Sequence, residues 1–267
     1  MPLYDLPIEV TSHERITESI VLLSFAAPQI SHVASPGQFV MLKCGEGNDP
    51  LLRRPFSIHQ TSSDGTIRIL LRVVGKGTHI LSQLLPGNRV RMLGPLGNGF
   101  DLSRTETTQQ LILVGGGMGV APLLYLAERL TLLGMIDKTS VILGARHQGE
   151  LLCLTGFKNL GFSVQCITDD GSSGEQGFVT DLLRRSLENR PEAIVFSCGP
   201  VAMLKQVSRL CDQFETACQV SLETHMACGI SACLGCAVPA ANTTRKYVHV
   251  CKNGPVFDSR EIAWNLM

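Results

Sequence analysis

The sequence predicts an antiparallel β barrel, then a doubly wound parallel α/β sheet, then a small cysteine-rich C-terminal module. Short β-rich runs separated by turn residues fill the chain to about residue 97. After residue 108 the rhythm changes to apolar strands alternating with amphipathic helices. Four of the ten cysteines, Cys228, Cys233, Cys236 and Cys251, fall in the last 40 residues. These shifts place the expected domains at 1–103, 104–220 and 221–267.

The barrel strands are read in order from IEVTSHERI, SIVLLSF, QFVMLKC, FSIHQTS, TIRILLRVV and RVRMLGPLG. Ser35-Pro36-Gly37, Ser63-Asp64-Gly65 and Pro86-Gly87-Asn88 punctuate them as turns. Ile67, Arg68 and Ile69 alternate as a half-buried strand does. One short capping helix is expected around His79 to Leu85.

In the second domain the strands QLILVG, SVILGAR, SVQCITDD, AIVFSCG and CQVSLE alternate with expected helices: Pro122 to Leu133, one near residue 150, VTDLLRRSLE, and Pro200 to about Gln213. That alternation implies right-handed crossovers and a parallel sheet. Leu123, Leu126, Leu130 and Leu133 form one stripe of the first helix, Pro122 sits in its opening turn, and Gly134 is placed to end it. The last 45 residues, rich in Cys, Gly and small side chains, are expected to form a third piece with little core of its own.

Composition narrows the function classes. Hydrophobic residues make up 44% and charged residues 17%, enough apolar material for a core, so a disordered chain is excluded. Twenty-three basic side chains balance 23 acidic ones, and the clustered positive charge that nucleic acid needs is missing. Asp5 and Glu9 precede any apolar run, so a basic flank with a hydrophobic signal core is not expected, and the reading is cytoplasmic. The run Leu111 to Ala127 contains four glycines and a proline, which suits a strand, turn and helix start rather than a membrane span. In a reducing compartment the cysteines are expected as thiols or metal ligands.

The late cysteines have the spacing of a plant-type [2Fe-2S] site: four residues from Cys228 to Cys233, two to Cys236, then fourteen to Cys251. Gly229 and Gly235 permit a tight loop whose amides can point at sulfur. A zinc site or plain buried thiols are the alternatives, but zinc ribbons pair two C-x2-C knuckles and only Cys233–Cys236 forms one here. His225 and His249 lie nearby and read as ordinary polar residues.

Gly115-Gly116-Gly117-Met118-Gly119 joins an apolar strand to a helix, where glycine lets backbone approach a pyrophosphate and the helix start presents amides. Cys198-Gly199-Pro200 repeats that strand, glycine and helix-start order, again on the carboxyl edge of the sheet. Cys198 has no His–Asp pairing near it, and no catalytic residue is assigned. In the barrel, Arg54-Pro55-Phe56-Ser57 offers a phosphate partner, an aromatic and a hydroxyl. Leu71-Arg72-Val73 follows, and Gly77-Thr78 opens a short helix. Each segment alone also reads as an ordinary strand or turn.

RPFS followed by GGGMGVAP and CGP resembles the ferredoxin-NADP reductase superfamily, which implies a flavin between the two domains. RRPFSI, LRVVGKGT, GPLGNGF, TDDGS, ETHMACGISACLGCAVP and VCKNGPVF resemble, over almost the whole chain, the family of electron-transfer subunits of NAD-dependent, B-type dihydroorotate dehydrogenases. The resemblance implies FAD at Arg54 to Ser57, Leu71 to Val73, Gly77 and Thr78, and a cluster on Cys228, Cys233, Cys236 and Cys251. It places Glu223 near the nicotinamide–flavin region and NAD(H) on the second domain. Phe56 stands where the wider superfamily often has tyrosine. The chain has no room for a further eight-stranded barrel, which takes about 250 residues. The orotate chemistry therefore belongs to an FMN-containing catalytic subunit, in a heterotetramer of two plus two and in pyrimidine synthesis. The alternative is a stand-alone or complexed NAD(P)H-ferredoxin or sulfide-type reductase subunit. Coenzyme choice is open on the residues alone: Arg146 follows the second strand, where it could meet a 2′-phosphate, but Asp169 and Asp170 lie close in sequence.

Overall fold

Buried and exposed side chains alternate along Tyr4–Arg15, with Ile8 and Val10 inside and Glu9 outside, so this first strand, β1, has one face toward a core. The computed structural model describes every residue except Met1, Glu46, Arg190, Pro191, Asn242, Thr243 and Arg245. After β1 come β2 (Ile20–Ala26), α1 (Pro28–Ser31), β3 (Phe39–Leu42), β4 (Arg54–Ser57), β5 (Gln60–Thr61), β6 (Thr66–Arg72), α2 (Lys76–Leu81) and β7 (Arg89–Leu96). The seven strands make one antiparallel sheet in the order β4-β3-β7-β1-β2-β6-β5. Val21, Leu23 and Phe25 on β2 stand opposite Leu71, Ile69 and Ile67 on β6, and this shared face is buried. The capping helix begins three residues earlier than His79, because Gly75 and Thr78 close its first turn.

The second sheet is built from β8 (Gln110–Gly116), β9 (Thr139–Ala145), β10 (Ser163–Thr168), β11 (Glu175–Gln176), β12 (Ala193–Cys198) and β13 (Ala217–Ser221). Between them run α3 (Val120–Leu132), α4 (Leu154–Asn159), α5 (Val179–Asn189) and α6 (Val201–Gln213). Every residue of β8 is buried, as a parallel strand covered on both faces requires. A 3₁₀ turn at Gly117–Gly119 leads into α3, which opens two residues before Pro122. Leu123, Leu126 and Leu130 are buried, but Leu133 lies beyond the last turn and is exposed, with Gly134 at φ +69° ending the helix. The helix expected near residue 150 is a 3₁₀ turn at Gln148–Glu150 followed by α4.

The C-terminal residues contain β14 (Ala237–Pro239), β15 (Tyr247–His249), α7 (Val250–Asn253) and β16 (Val256–Asp258). Of these, β16 pairs antiparallel with β13 and completes the order β11-β10-β9-β8-β12-β13-β16. Two compact units result. One holds Met1–Gly99, Glu223–Ala237 and His249–Pro255; the other holds Phe100–Leu222, Val238–Val248 and Val256–Met267. In the second unit the Lys138 ammonium donates to the carbonyls of Thr105, Glu106 and Thr108, fixing the loop before β8. Among the described residues, no helix is long and apolar enough to cross a membrane.

Candidate functional site

Three clusters of side chains carry the chemistry read from the sequence. The first lies on β4 and the opening of α2. Arg54 Nη1 donates to the Leu52 carbonyl at 2.8 Å, which turns the guanidinium along the strand edge. It lies against Gly77, where an added Cβ would come 3.1 Å from Arg54 Nε and 3.1 Å from Cys44 Sγ. A methyl there would make Arg54 or Cys44 give by a few tenths of an ångström. Burial pushes the Cys44 thiol up, while Arg54 pulls it the other way. Nothing in the sequence linked Cys44 to this group. The Thr78 hydroxyl accepts from the Val74 and Gly75 amides and donates to the Gly75 carbonyl, so it holds the turn. What this end of α2 offers a phosphate is therefore backbone N–H. Pro55, Phe56 and Ser57 are half-buried on β4, Leu71 is buried on β6, and the Val73 amide is tied to the Ser19 carbonyl. Half-buried groups around a strand edge with an arginine suit a large, partly apolar ligand carrying phosphate, as FAD does.

The second cluster joins two loops at the carboxyl edge of the parallel sheet. A Cβ on Gly119 would fall 2.2 Å from the Cys198 carbonyl oxygen and 2.5 Å from the Gly199 nitrogen. Gly116 likewise meets Met203 Sδ at 2.5 Å and Pro200 Cδ at 3.3 Å. The two loops therefore touch backbone to backbone, and β12 pairs with β8 so that Cys198 stands opposite Gly115. The Ser197 hydroxyl donates to the Val114 carbonyl at 3.1 Å and holds that register. Gly117, at φ +54°, has open space around its Cβ direction. A tight floor and an open glycine above it form a cradle suited to a dinucleotide pyrophosphate. Cys198 is buried and serves the floor.

The third cluster is the cysteine loop of the first unit. Every one of the four sulfurs receives a backbone N–H: Cys228 from Ala232 and Cys233 at 3.3 Å each, Cys233 from Gly235 at 3.5 Å, Cys236 from Cys251 at 3.5 Å, and Cys251 from Ser231 at 3.2 Å. The Cys236 and Cys251 sulfurs are 3.2 Å apart. Left-handed backbone at Gly229, Ser231 and Leu234 winds the loop tightly enough to aim these amides. Burial alone would raise the Cys228 thiol, but the amides of Cys233, Ile230 and Ala232 bring it down to about 7. Cys251 is pushed up to about 12, first by burial and then by its Cys236 partner. Four thiols with N–H groups aimed at each suit an iron–sulfur cluster, whose thiolates take such bonds. His249 precedes α7, its amide donating to Asn253, and His225 is exposed.

Gly229 connects this loop to the first cluster: a Cβ there would meet Met41 Cγ at 2.7 Å, and Met41 pairs with Pro55 across β3 and β4. Only a methionine and a glycine separate the Arg54–Ser57 segment from Cys228. Beside the loop an open groove of about 460 Å³ is lined by Leu3, Leu96, Gly229, Ile230, Ser231 and Lys252, among others. Glu223, in the same unit, keeps accessible surface, yet the protein around it raises its carboxyl above the ordinary range.

Family comparisons match all three parts of the chain. Residues 7–100 match an oxidoreductase FAD-binding domain, 113–209 an oxidoreductase NAD-binding domain, and 223–263 the iron-sulfur cluster binding domain of dihydroorotate dehydrogenase B. The chain is 43% identical over 244 residues to a Desulforamulus reducens protein named dihydroorotate dehydrogenase B (NAD(+)), electron transfer subunit, covering 91% of this chain and 92% of that one. It is 38% identical to the Geobacillus kaustophilus protein of the same name, over 95% and 96% of the two chains. Among solved structures it resembles a chain from an NADH-dependent reduced ferredoxin-NADP oxidoreductase, with TM-score 0.81 and 28% identity over 97% and 90% of the chains. A Neisseria gonorrhoeae ferredoxin NADP+ reductase shares the fold at 18% identity and TM-score 0.68, over 79% and 91%.

Proposed function

The chain belongs to the family of electron transfer subunits of NAD-linked dihydroorotate dehydrogenase B, and from that premise we propose that it passes electrons between NAD(H) and the FMN of a separate catalytic subunit. FAD and a [2Fe-2S] cluster are the carriers, and the setting is pyrimidine synthesis. When bound, the flavin exchanges a hydride with the nicotinamide and single electrons with the cluster.

The observation that carries the reading is four cysteine sulfurs that each receive a backbone N–H, in a loop whose Gly229 abuts Met41, the residue paired with Pro55 on β4. Arg54 and the opening of α2 would hold the flavin pyrophosphate, with Gly77 leaving the guanidinium its place. Pro55, Phe56, Ser57 and the Leu71-Arg72-Val73 strand end would line the ring system. Gly115, Gly117, Gly119, Cys198, Gly199 and Pro200 would seat the coenzyme, and Cys228, Cys233, Cys236 and Cys251 would ligate iron. Glu223 would border the region where nicotinamide meets flavin. The exposed Ile230 and Leu234 flank the cysteines, and with the groove beside them they support this loop as the face offered to the catalytic subunit. A two-plus-two heterotetramer is the assembly we propose.

Anaerobic NADH titration followed by visible and electron paramagnetic resonance spectra tests the route. Flavin bleaching together with a rhombic cluster signal is expected, and bleaching with no cluster signal overturns it. Orotate-dependent NADH oxidation should require the FMN subunit, and light scattering on the mixture should return the mass of two copies of each chain. Relatives at 36–43% identity that carry the dihydroorotate dehydrogenase name favour this reading over a stand-alone ferredoxin or sulfide reductase.

A further inference from the structure

Arg146 is the first residue after β9, the strand beside the glycine-loop strand β8. In an open parallel sheet, the carboxyl end of that neighbouring strand is where the adenosine ribose of a dinucleotide lies, and a nearby arginine is the usual partner of a 2′-phosphate. Here the arginine is already engaged. Its Nε donates to Glu150 Oε2 at 2.9 Å and its Nη2 to Glu150 Oε1, a two-pronged pair. The Glu150 side chain is 19% exposed against 71% for Arg146, so the carboxylate is the seated member and the guanidinium the outward one.

The turn that presents Glu150 is itself fixed. The Glu150 amide donates to the His147 carbonyl at 2.9 Å, and the Gln148 amide to the Ser172 hydroxyl at 2.7 Å. That hydroxyl and the Ser172 amide both donate to Asp170 Oδ1, at 2.6 and 2.9 Å, and the Asp170 amide returns to the Arg146 carbonyl. Asp169 follows the same edge, its amide bonded to the Ala145 carbonyl and its charge felt by Arg146. One guanidinium thus stands beside the carboxylate of Glu150 and within the field of Asp169.

We infer that Glu150 is the residue that sets coenzyme choice: by occupying Arg146 it denies a 2′-phosphate its partner and leaves the edge to a coenzyme with a free ribose 2′-hydroxyl. A 2′-phosphate brings nearly two negative charges. It would have to displace Glu150 and then face the charge of Asp169 as well, whereas a hydroxyl meets no such repulsion. The inference rests on the reading above that this edge binds a nicotinamide coenzyme.

The test is calorimetric titration of oxidised holoprotein with NAD+ and with NADP+, which requires no turnover. The unmodified protein is expected to bind NAD+ more tightly. Glu150→Gln should move the ratio of the two dissociation constants toward NADP+ by at least tenfold, and adding Arg146→Ala to Glu150→Gln should abolish that shift. Rising salt should shrink the gain, since it rests on an exposed charge. An unchanged ratio in Glu150→Gln, or a shift that survives loss of Arg146, overturns the role of Glu150 while leaving the electron route intact. Failure of the unmodified protein to bind either nucleotide overturns the coenzyme site and this inference together. Should Glu150→Gln not fold, Glu150→Ser removes the same charge and is read by the same ratio.

Discussion

Gly117 and Gly119 sit two residues apart in one motif and are required for different reasons. Gly119 has an ordinary helical φ of −62°, but a methyl there would strike the Cys198 carbonyl at 2.2 Å. Gly117 has room for a methyl and a φ of +54° that L side chains avoid. Gly117→Ala is therefore expected to cost about 1–2 kcal/mol in chemical denaturation with the fold kept. Gly119→Ala should cost more, because backbone rather than a flexible side chain must give way, and NAD+ binding should fall with it. Equal losses in the two variants would contradict the contact between the loops. The motif was legible as glycine-rich, but which glycine answers to sterics and which to torsion was not, because the obstructing atom comes from Cys198, far along the chain. Arg54 and the four late cysteines stand out in the sequence for the opposite reason: their identities and spacing are local. The Arg146–Glu150 pair spans a short 3₁₀ turn outside any α-helix, so its four-residue spacing carried no signal and stayed hidden.

Among the elements, the turn between β10 and β11 shows how a polar segment holds its shape without a core. Asp170 accepts from the Ser172 hydroxyl and amide, and these bonds, the hydroxyl first, hold its carboxyl below the ordinary aspartate range. A carboxylate with a depressed value favours the folded turn above the unfolded value of about 3.9, and that contribution is lost as pH falls through the lower folded one. In a carbon-detected NMR titration, Asp170 should show a midpoint below 3.9, and Ser172→Ala should move it back up. A midpoint at or above the ordinary value contradicts the turn. The long strands and helices were visible through their periods of two and 3.6, whereas their ends shifted where capping decided: α2 at Gly75 and Thr78, α3 at the 3₁₀ turn, and Leu133 outside its helix. The three-residue β16 gave no periodic signal at all, since its place is set by a partner, β13, thirty-five residues upstream.

For the molecule as a whole, the chain passes back and forth between its two units, and the late residues are divided between them rather than kept apart. A division drawn from composition followed the cysteines and missed this sharing, because Val256 and Phe257 belong by contact to the parallel sheet. Residues 100–222 produced alone should consequently lose the buried Phe257 and Ile262 and bare the edge of β13. Each such side chain is worth about 1.5–3 kcal/mol. Differential scanning calorimetry should show this fragment melting well below the full chain, and sedimentation should show it self-associating; a monomer with unchanged melting would mean that β16 contributes nothing.

Ser221 and Val256 stand opposite each other in the antiparallel pair that closes this sheet. All of residues 222–255 therefore depart from one point of the framework and return beside it. The ends of this segment are pinned by that ladder, while residues 223–237 and 249–255 pack with the first unit, Asn98 donating to the Lys252, Asn253 and Gly254 carbonyls.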